Sequence, residues 1–170
     1  MLYREPLESD VAVMAGLHHR ACLISYTFIK WPYSEKQTHD WIAEKLREWD
    51  WKLVAEDRSR VVGFVGALGS FLDQLSIDPN YQRLGIGTAL LLAALRKPDP
   101  VTRLIVFEKN MVARRLYERH GFHKVRRFMN FEEGPSNWST TAPIFQTETL
   151  PMRVPACSRI SAVVGWWAAM

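Results

Sequence analysis

The sequence predicts an α+β fold, an α/β three-layer arrangement in which helices flank a mostly antiparallel mixed sheet. The chain has 170 residues, of which 48% are hydrophobic and 24% charged, as is typical of a soluble globular domain. Apolar residues recur at helical spacing in some segments, and alternate or form short runs in others. The segments follow one another as helix, helix, three strands, helix, strand, helix and strand.

Two helices are predicted before the first strand. Ser9 or Asp10 can cap the first helix, whose apolar pattern fades near Arg20. The second helix begins with a capping box formed by Ser34 and Gln37. Its apolar side contains Trp41, Ile42, Leu46 and Trp49.

Three strands follow, at residues 51–56, 61–68 and 71–77. They are rich in β-branched and apolar residues, and short turns separate them, one with the sequence DRSR and one at Gly69 and Ser70. Because both connections are short, the three strands are expected to pair as an antiparallel meander.

The next helix follows Gly87 and stops before Pro98, and residues 103–107 form a short buried strand. Asn110 can cap a further helix, which Gly121 ends in the C-terminal glycine position. The elements therefore alternate between helix and strand in this half of the chain.

Two more strands are predicted, at residues 124–131 and near residues 142–147. From Gly134 onward charged residues become scarce and prolines frequent. We therefore divide the chain into a domain of residues 1–132 and an atypical C-terminal segment of residues 133–170, which contains one strand and an interface tail.

Composition narrows the classes of function. The net charge of +4 suits a small anionic ligand, and no run of five or more basic residues indicates a nucleic-acid partner. No apolar segment reaches the roughly 20 residues of a membrane span. The N-terminus lacks the apolar core of a signal peptide, so a cytoplasmic location without membrane association is expected.

The cysteines and histidines predict no metal site. Cys22 and Cys157 match no metal-ligand spacing and are expected to be free thiols. The histidines form no recognisable ligand set and are expected at the surface or at helix ends. They are His18, His19, His39, His120 and His123.

An apolar cluster lies near the end of the chain, where Arg159 is the one nearby charge. A monomer rarely exposes such a surface, so three outcomes are open: the tail docks on the chain's own sheet, pairs across a two-fold axis in a homodimer, or is disordered and prone to aggregate. The cluster contains Val163, Val164, Trp166, Trp167 and Met170.

The stretch QRLGIGTALL, residues 82–91, joins two closely spaced glycines to a helix. One interpretation is a tight turn from strand to helix. A second is a dinucleotide-binding turn, which the position of Glu108 favours, although Leu90 stands where that motif has its third glycine. A third is an anion cradle, because glycines let a ligand approach the backbone and a helix N-terminus offers unpaired N–H groups.

Two motifs together resemble a known family. LSIDPNYQRLGIGTALL, followed by NMVARRLYERHGFHKV, is similar to the GCN5-related N-acetyltransferase (GNAT) superfamily over roughly residues 2–132. Gln82, Gly85 and Gly87 fill the family's acetyl-CoA motif. Its second signature is filled by Asn110, Ala113, Tyr117, Gly121 and Phe122.

The resemblance implies an enzyme that transfers acetyl from acetyl-CoA, without a metal, to a primary amine of a small molecule or peptide. Backbone amides of the glycine loop would bind the pyrophosphate, and the pantetheine arm would lie along the strand that ends at Ile77. The residues implied for cofactor binding are Leu75, Ser76, Ile77, Gln82, Arg83, Leu84, Gly85, Ile86, Gly87, Thr88, Asn110, Ala113 and Tyr117.

The catalytic residues implied by the resemblance are an acid and a base. Tyr117 is the candidate acid for the departing thiolate, the alternative being a tyrosine packed in an amphipathic helix. Asp73 is the candidate base, because it lies in an otherwise apolar strand where burial favours the protonated form. A solvated Asp73 at the sheet edge is the alternative, and Glu56 is the second candidate base.

The amine acceptor is expected to contact the segment between the first two helices, whose aromatic residues are Tyr26, Phe28, Trp31 and Tyr33. The same residues are equally compatible with a packed core. A non-catalytic acyl-CoA-binding or sensory module is the alternative function, because such a protein would keep the glycine loop without turnover.

Overall fold

The computed structural model describes residues 1–133 and 139–149, which form parts of two compact units. The first unit consists of Met1–Ser25 and Ser34–Leu104. The second contains Tyr26–Tyr33 and the described part of Ile105–Met170. The loop between the first two helices therefore belongs to the second unit.

The first unit contains three helices and most of the strands. Its elements are β1 (Leu2–Arg4), α1 (Val11–Ser25), α2 (Glu35–Glu48), β2 (Trp51–Asp57), β3 (Arg60–Leu68), β4 (Phe71–Ile77), α3 (Ile86–Arg96) and the first two residues of β5 (Arg103–Phe107). Strands β1 to β4 pair in sequence order and antiparallel, and β5 is parallel to β4.

The second unit contains the remainder of β5, α4 (Met111–Arg119), β6 (Phe122–Glu133) and β7 (Ser139–Thr149). Strand β7 lies between β5 and β6, and β6 pairs with β7 antiparallel. The predicted C-terminal strand is thus present and longer than residues 142–147. The division of the chain at residue 132 stays a prediction.

Helices cover both faces of the first unit's sheet. Every residue of β3 from Val61 to Ala67 is buried, although successive side chains of a strand point to opposite faces. Helix α1 contacts β3 and β4, and α3 contacts the same two strands. This three-layer packing confirms the predicted fold class.

The helix boundaries differ from the sequence predictions at two positions. Helix α1 continues past Arg20 to Ser25, because Cys22 is buried and extends its inner face. Helix α3 begins at Ile86 rather than after Gly87, because Gly85 is its N-cap. Strand β1 was not predicted, since its three residues are too few to show an alternating pattern.

An irregularity in β4 shapes its edge. Gly66 pairs with Gln74 and Ala67 pairs with Leu72, so Asp73 is an extra residue of the kind found in a β-bulge. Strand β4 pairs with β5 through Phe71 and Leu72 alone. Within the first unit, residues 74–77 therefore pair with β3 on one side and with no strand on the other.

Candidate active site

The loop after β4 is anchored at its start by a buried carboxylate. The Asp78 side chain is 1% exposed and accepts a hydrogen bond of 2.7 Å from Nη2 of Arg20. It also accepts a hydrogen bond from the backbone N–H of Asn80, which caps the short 3-10 helix Pro79–Tyr81. Burial alone would raise the pKa of Asp78, but these hydrogen bonds hold it below its usual value. Asp78 therefore stays charged and ties the loop to α1.

Two residues with left-handed backbone lie immediately before α3. Arg83 has a φ of 62° and Gly85 a φ of 82°. A positive φ is costly for an arginine, and such strain concentrates at binding sites. A Cβ placed on Gly85 would meet no atom of the residues that the structure describes within 4 Å. The space over Gly85 is thus open to a ligand.

The N-terminus of α3 presents unpaired amides. Its N-cap, Gly85, provides no side-chain hydrogen bond, and the first helical bond of this turn runs from Ala89 N to Gly85 O. The N–H groups of Ile86, Gly87 and Thr88 are therefore without partners inside the helix. Together with the partial positive charge of the helix end, they form a site suited to phosphate.

The remaining loop residues hold this cradle in place. Nε2 of Gln82 lies 3.5 Å from the carbonyl oxygen of Ile77, linking the loop to the end of β4. Ile86 is 3% exposed and fixes α3 to the core, whereas Leu84 is 67% exposed. The structure thus brings the first ten predicted cofactor residues together in one unit, along β4 and the N-terminus of α3.

A buried histidine on α1 contacts β4 next to this site. Nδ1 of His18 is 2.8 Å from Oγ of Ser76, and Nε2 of His18 is 3.4 Å from Sγ of Cys22. The imidazole stacks on Trp41, with ring centroids 5.3 Å apart. Burial, together with neighbouring His19, lowers the pKa of His18 to about 4. His18 is therefore neutral at physiological pH.

The expectation that all five histidines lie at the surface or at helix ends is wrong for two of them. His18 is 3% exposed, and His19 is 8% exposed with Nδ1 3.1 Å from Oγ1 of Thr38. Both imidazoles replace hydration with hydrogen bonds to hydroxyl groups, which makes their burial possible.

The low pKa of His18 predicts a pH-dependent stability. The unfolded state takes up a proton below the ordinary value of 6.5, whereas the folded state does so only near 4. Stability is thus lost as the pH falls between these values, by up to about 3 kcal/mol. Denaturant unfolding of wild type and His18→Gln from pH 7 to pH 4 measures the difference. Parallel stability curves for the two proteins would contradict the prediction.

Asp73 is buried, which excludes the solvated alternative. Its side chain is 2% exposed, and Oδ2 accepts a hydrogen bond of 2.7 Å from Nε1 of Trp49. The same oxygen lies 3.6 Å from Nζ of Lys45. Oδ1 makes no hydrogen bond to a residue that the structure describes. The second candidate base, Glu56, pairs with Arg4 at 2.7 Å.

The other predicted site residues lie in the second unit. Oδ1 of Asn110 accepts a hydrogen bond of 3.1 Å from Ala113 N, which confirms the predicted helix cap. Tyr117 is 8% exposed and contacts Phe122 edge to face, with centroids 5.8 Å apart. Burial raises the pKa of Tyr117 above its ordinary value, so the phenol stays protonated. Its hydroxyl makes no hydrogen bond to any described residue.

The aromatic residues between α1 and α2 form a cluster, which we call the acceptor cluster. Each residue of the cluster is partly buried and partly exposed, which fits both an acceptor-binding surface and the edge of a core, so its role stays a prediction. The Tyr26 ring lies 4.9 Å from Phe107 and 5.5 Å from Trp31, and Nζ of Lys109 lies 5.6 Å from the centre of Phe28. Its members are Tyr26, Phe28, Trp31 and Tyr33 of the loop, together with Phe107 at the end of β5.

Other predictions concern features away from these residues. Among the described residues no group of histidine, cysteine, aspartate or glutamate has the arrangement of a metal site. No helix in this part of the chain is both long and apolar enough to span a membrane. The apolar C-terminal cluster and Cys157 lie outside the described residues, so the homodimer stays a prediction, as does the cytoplasmic location.

Comparisons with known proteins find that the chain is similar to acetyltransferases. A family model described as acetyltransferase (GNAT) domain matches residues 49–124, which include β4, the glycine loop and α4. The chain is 27% identical over 150 residues to the peptidyl-lysine N-acetyltransferase YiaC of Escherichia coli strain K12. This match covers 86% of the chain and 99% of YiaC.

Solved structures share the fold. The solution structure of apo-form YjaB from Escherichia coli superposes with a TM-score of 0.68 and 21% identity, covering 89% of this chain and 98% of YjaB. The PaiA N-acetyltransferase of Thermoplasma acidophilum, crystallised in complex with coenzyme A, gives a TM-score of 0.60 and 23% identity, covering 86% of this chain and 98% of PaiA. Both likenesses confirm the mixed, mostly antiparallel sheet flanked by helices.

Proposed function

We propose that this chain, which is similar to acetyltransferase (GNAT) domains over residues 49–124, is an acetyl-CoA-dependent N-acetyltransferase that acetylates a primary amine by direct attack on the thioester. One observation carries the proposal. The N-terminus of α3 has no side-chain cap, follows two left-handed residues, and is open above Gly85. This combination suits the pyrophosphate of coenzyme A.

The cofactor would be held by backbone groups. The amides of residues 83–88 would donate hydrogen bonds to the pyrophosphate, and Arg83 adds a positive charge. The pantetheine arm would add to β4 along Leu75, Ser76 and Ile77, which pair on one side only within their unit. Asn110 and Ala113 complete the proposed cofactor residues by family resemblance.

The chemistry requires a neutral amine, a base and an acid. The amine nitrogen forms a bond to the thioester carbon and gives up a proton, the C–S bond breaks, and the thiolate takes up a proton. We assign the proton that the thiolate takes up to Tyr117, whose phenol is protonated. Its hydroxyl makes no hydrogen bond to a described residue.

We assign the amine's proton to Asp73. Lys45 and Trp49 both contact Oδ2, which leaves Oδ1 as the acceptor. The same contacts also give Asp73 a structural role, because they hold the indole of Trp49 in the core. Trp49 is 2% exposed. An asparagine at this position would keep the shape of the side chain and remove its basicity.

The acceptor cluster is proposed to bind the alkyl chain of the acceptor amine. Partly exposed aromatic side chains can bury alkyl groups and tolerate a nearby ammonium, as the position of Lys109 over Phe28 illustrates. YiaC is a peptidyl-lysine N-acetyltransferase, and this likeness supports a lysine side chain within a peptide as the acceptor.

Thiol release from acetyl-CoA tests the function directly. The purified chain is incubated with lysine peptides, peptide N-termini, polyamines, amino acids and aminoglycosides, and free coenzyme A is measured. We expect turnover with lysine peptides above that with the other amines. Binding of acetyl-CoA without turnover on any amine would instead support the non-catalytic acyl-CoA module.

A further inference from the structure

The positive charge of the chain is concentrated in one short segment. Residues 108–127 contain seven lysines and arginines and two glutamates, a net charge of +5, whereas the whole chain carries +4. The other 150 residues therefore sum to −1. This segment comprises α4 and the first half of β6, all within the second unit.

Both glutamates of the segment already have cationic partners. Glu118 accepts a hydrogen bond of 3.2 Å from Nη2 of Arg114 on the same helix. Glu108 accepts from Arg127, with Nη2 2.8 Å from its carboxylate. Both glutamates are thus engaged by other arginines, and neither forms an ion pair with Arg115 or Arg119.

Arg115 and Arg119 are exposed and lie one helical turn apart on α4. Neither forms an ion pair or a hydrogen bond with a residue that the structure describes. Two like charges at this spacing destabilise an isolated helix. The helix therefore carries a repulsion that an anionic partner would relieve.

Exposed apolar side chains lie beside Arg115 and Arg119 on the surface of α4. Val112 is 72% exposed and precedes Arg115 by three residues, so the two share a helix face with Arg119. Met111, beside Val112, is 47% exposed. Apolar groups beside arginines suit a polypeptide better than a phosphate backbone, because phosphates offer nothing for them to bury.

This surface is adjacent to the acceptor cluster in the chain. Lys109, two residues before Met111, has its Nζ over the ring of Phe28. Both surfaces belong to the second unit. A single bound polypeptide can therefore contact the cluster and continue along α4.

We propose that Met111, Val112, Arg115 and Arg119, here called the α4 face, bind an acidic segment of a protein acceptor next to its target lysine. The guanidinium groups pair with Asp or Glu side chains of the acceptor, and Val112 and Met111 cover an apolar one. The inference rests on the proposed function and adds a substrate preference to it. Exposed ion pairs are individually weak, so the preference is modest and falls as salt rises.

Paired peptides test the α4 face. Each pair contains one lysine with identical spacing, flanked by Asp and Glu in one peptide and by Asn and Gln in the other. Turnover is followed by thiol release, and binding is followed separately by fluorescence anisotropy of labelled peptides. We expect the wild type to favour the acidic peptide about tenfold in kcat/KM and in Kd at low salt.

A charge-reversed pair and a matched control separate the α4 face from net charge. Arg115→Glu with Arg119→Glu should abolish the preference. Arg47→Glu with Arg96→Glu makes the same change in charge at exposed arginines of α2 and α3 and should retain it. Circular dichroism melting of both variants establishes that they are folded.

Several outcomes would overturn the proposal. They are an equal preference in the α4 variant and the control, no preference in the wild type, tighter binding of an RNA oligonucleotide than of the acidic peptide, or a raised KM for acetyl-CoA in the α4 variant. Absence of thiol release with every amine would instead refute the proposed function, and anisotropy would still decide whether the α4 face binds the acidic peptide.

Discussion

Replacing Gly85 by valine is expected to abolish acetyl-CoA binding while leaving the protein folded. A Cβ at this position meets no atom of the described part of the chain within 4 Å, so the added side chain occupies the space over the amides of α3 instead of clashing with the core. The φ of 82° adds a backbone cost of about 1–2 kcal/mol for a β-branched residue. The substitution is therefore expected to exclude the ligand and to leave the protein folded.

Thermal unfolding measures this effect. A ligand at one hundred times its Kd stabilises the folded state by about 2.7 kcal/mol, so wild type should melt several degrees higher with acetyl-CoA. Gly85→Val should show no such rise. Gly121→Val is the matched control, because Gly121 has a φ of 86° and equally open space, but follows α4 instead of preceding α3.

The control separates backbone strain from loss of the ligand site. Both valine variants should melt at a similarly reduced temperature without ligand, and the control alone should be stabilised by acetyl-CoA. A normal ligand-induced rise in Gly85→Val would mean that the phosphates do not approach the backbone there, and the proposed cradle would be wrong.

Local signals predicted much of the fold and of the glycine loop. The capping box of Ser34 and Gln37 and the cap at Asn110 both appear in the structure, because a helix cap involves residues only three positions apart. The left-handed backbone at Gly85 and Gly121 likewise follows from the freedom of glycine at any φ. Such features need no knowledge of the tertiary fold.

Contacts between distant residues were not predictable in this way. Arg20 and Asp78 are 58 positions apart, as are His18 and Ser76, and neither pair has a local pattern. An imidazole can be buried only where it finds a hydrogen-bond partner. The hydroxyl that pairs with it is brought close by the tertiary fold, and the helix sequence alone does not indicate it. The bulge at Asp73 depends in the same way on the register of β3 against β4.

Tyr117→Phe is expected to lower kcat by roughly ten- to a thousandfold with little change in acetyl-CoA affinity. The substitution removes one hydroxyl, which makes no hydrogen bond to a described residue. The ring and its edge-to-face contact with Phe122 remain, so folding should be little affected. Loss of turnover without loss of stability is what removing a proton donor produces.

The pH dependence of the wild type adds an independent check. Because burial raises the pKa of Tyr117 above its ordinary value of 10.0, the phenol stays protonated throughout the alkaline range in which enzymes are assayed. The proposed acid should therefore cause no fall in kcat up to about pH 10. A fall with a midpoint well below that value would have to come from another group.

Tyr3→Phe serves as the matched control for the loss of a hydroxyl. Tyr3 is 40% exposed on β1, and no proposed site residue belongs to that strand. We expect wild-type kcat and melting temperature in this variant, and a reduced kcat at an unchanged melting temperature in Tyr117→Phe. If both variants turn over at the wild-type rate, Tyr117 is a packing residue of α4, and the departing thiolate takes its proton from water or from another side chain.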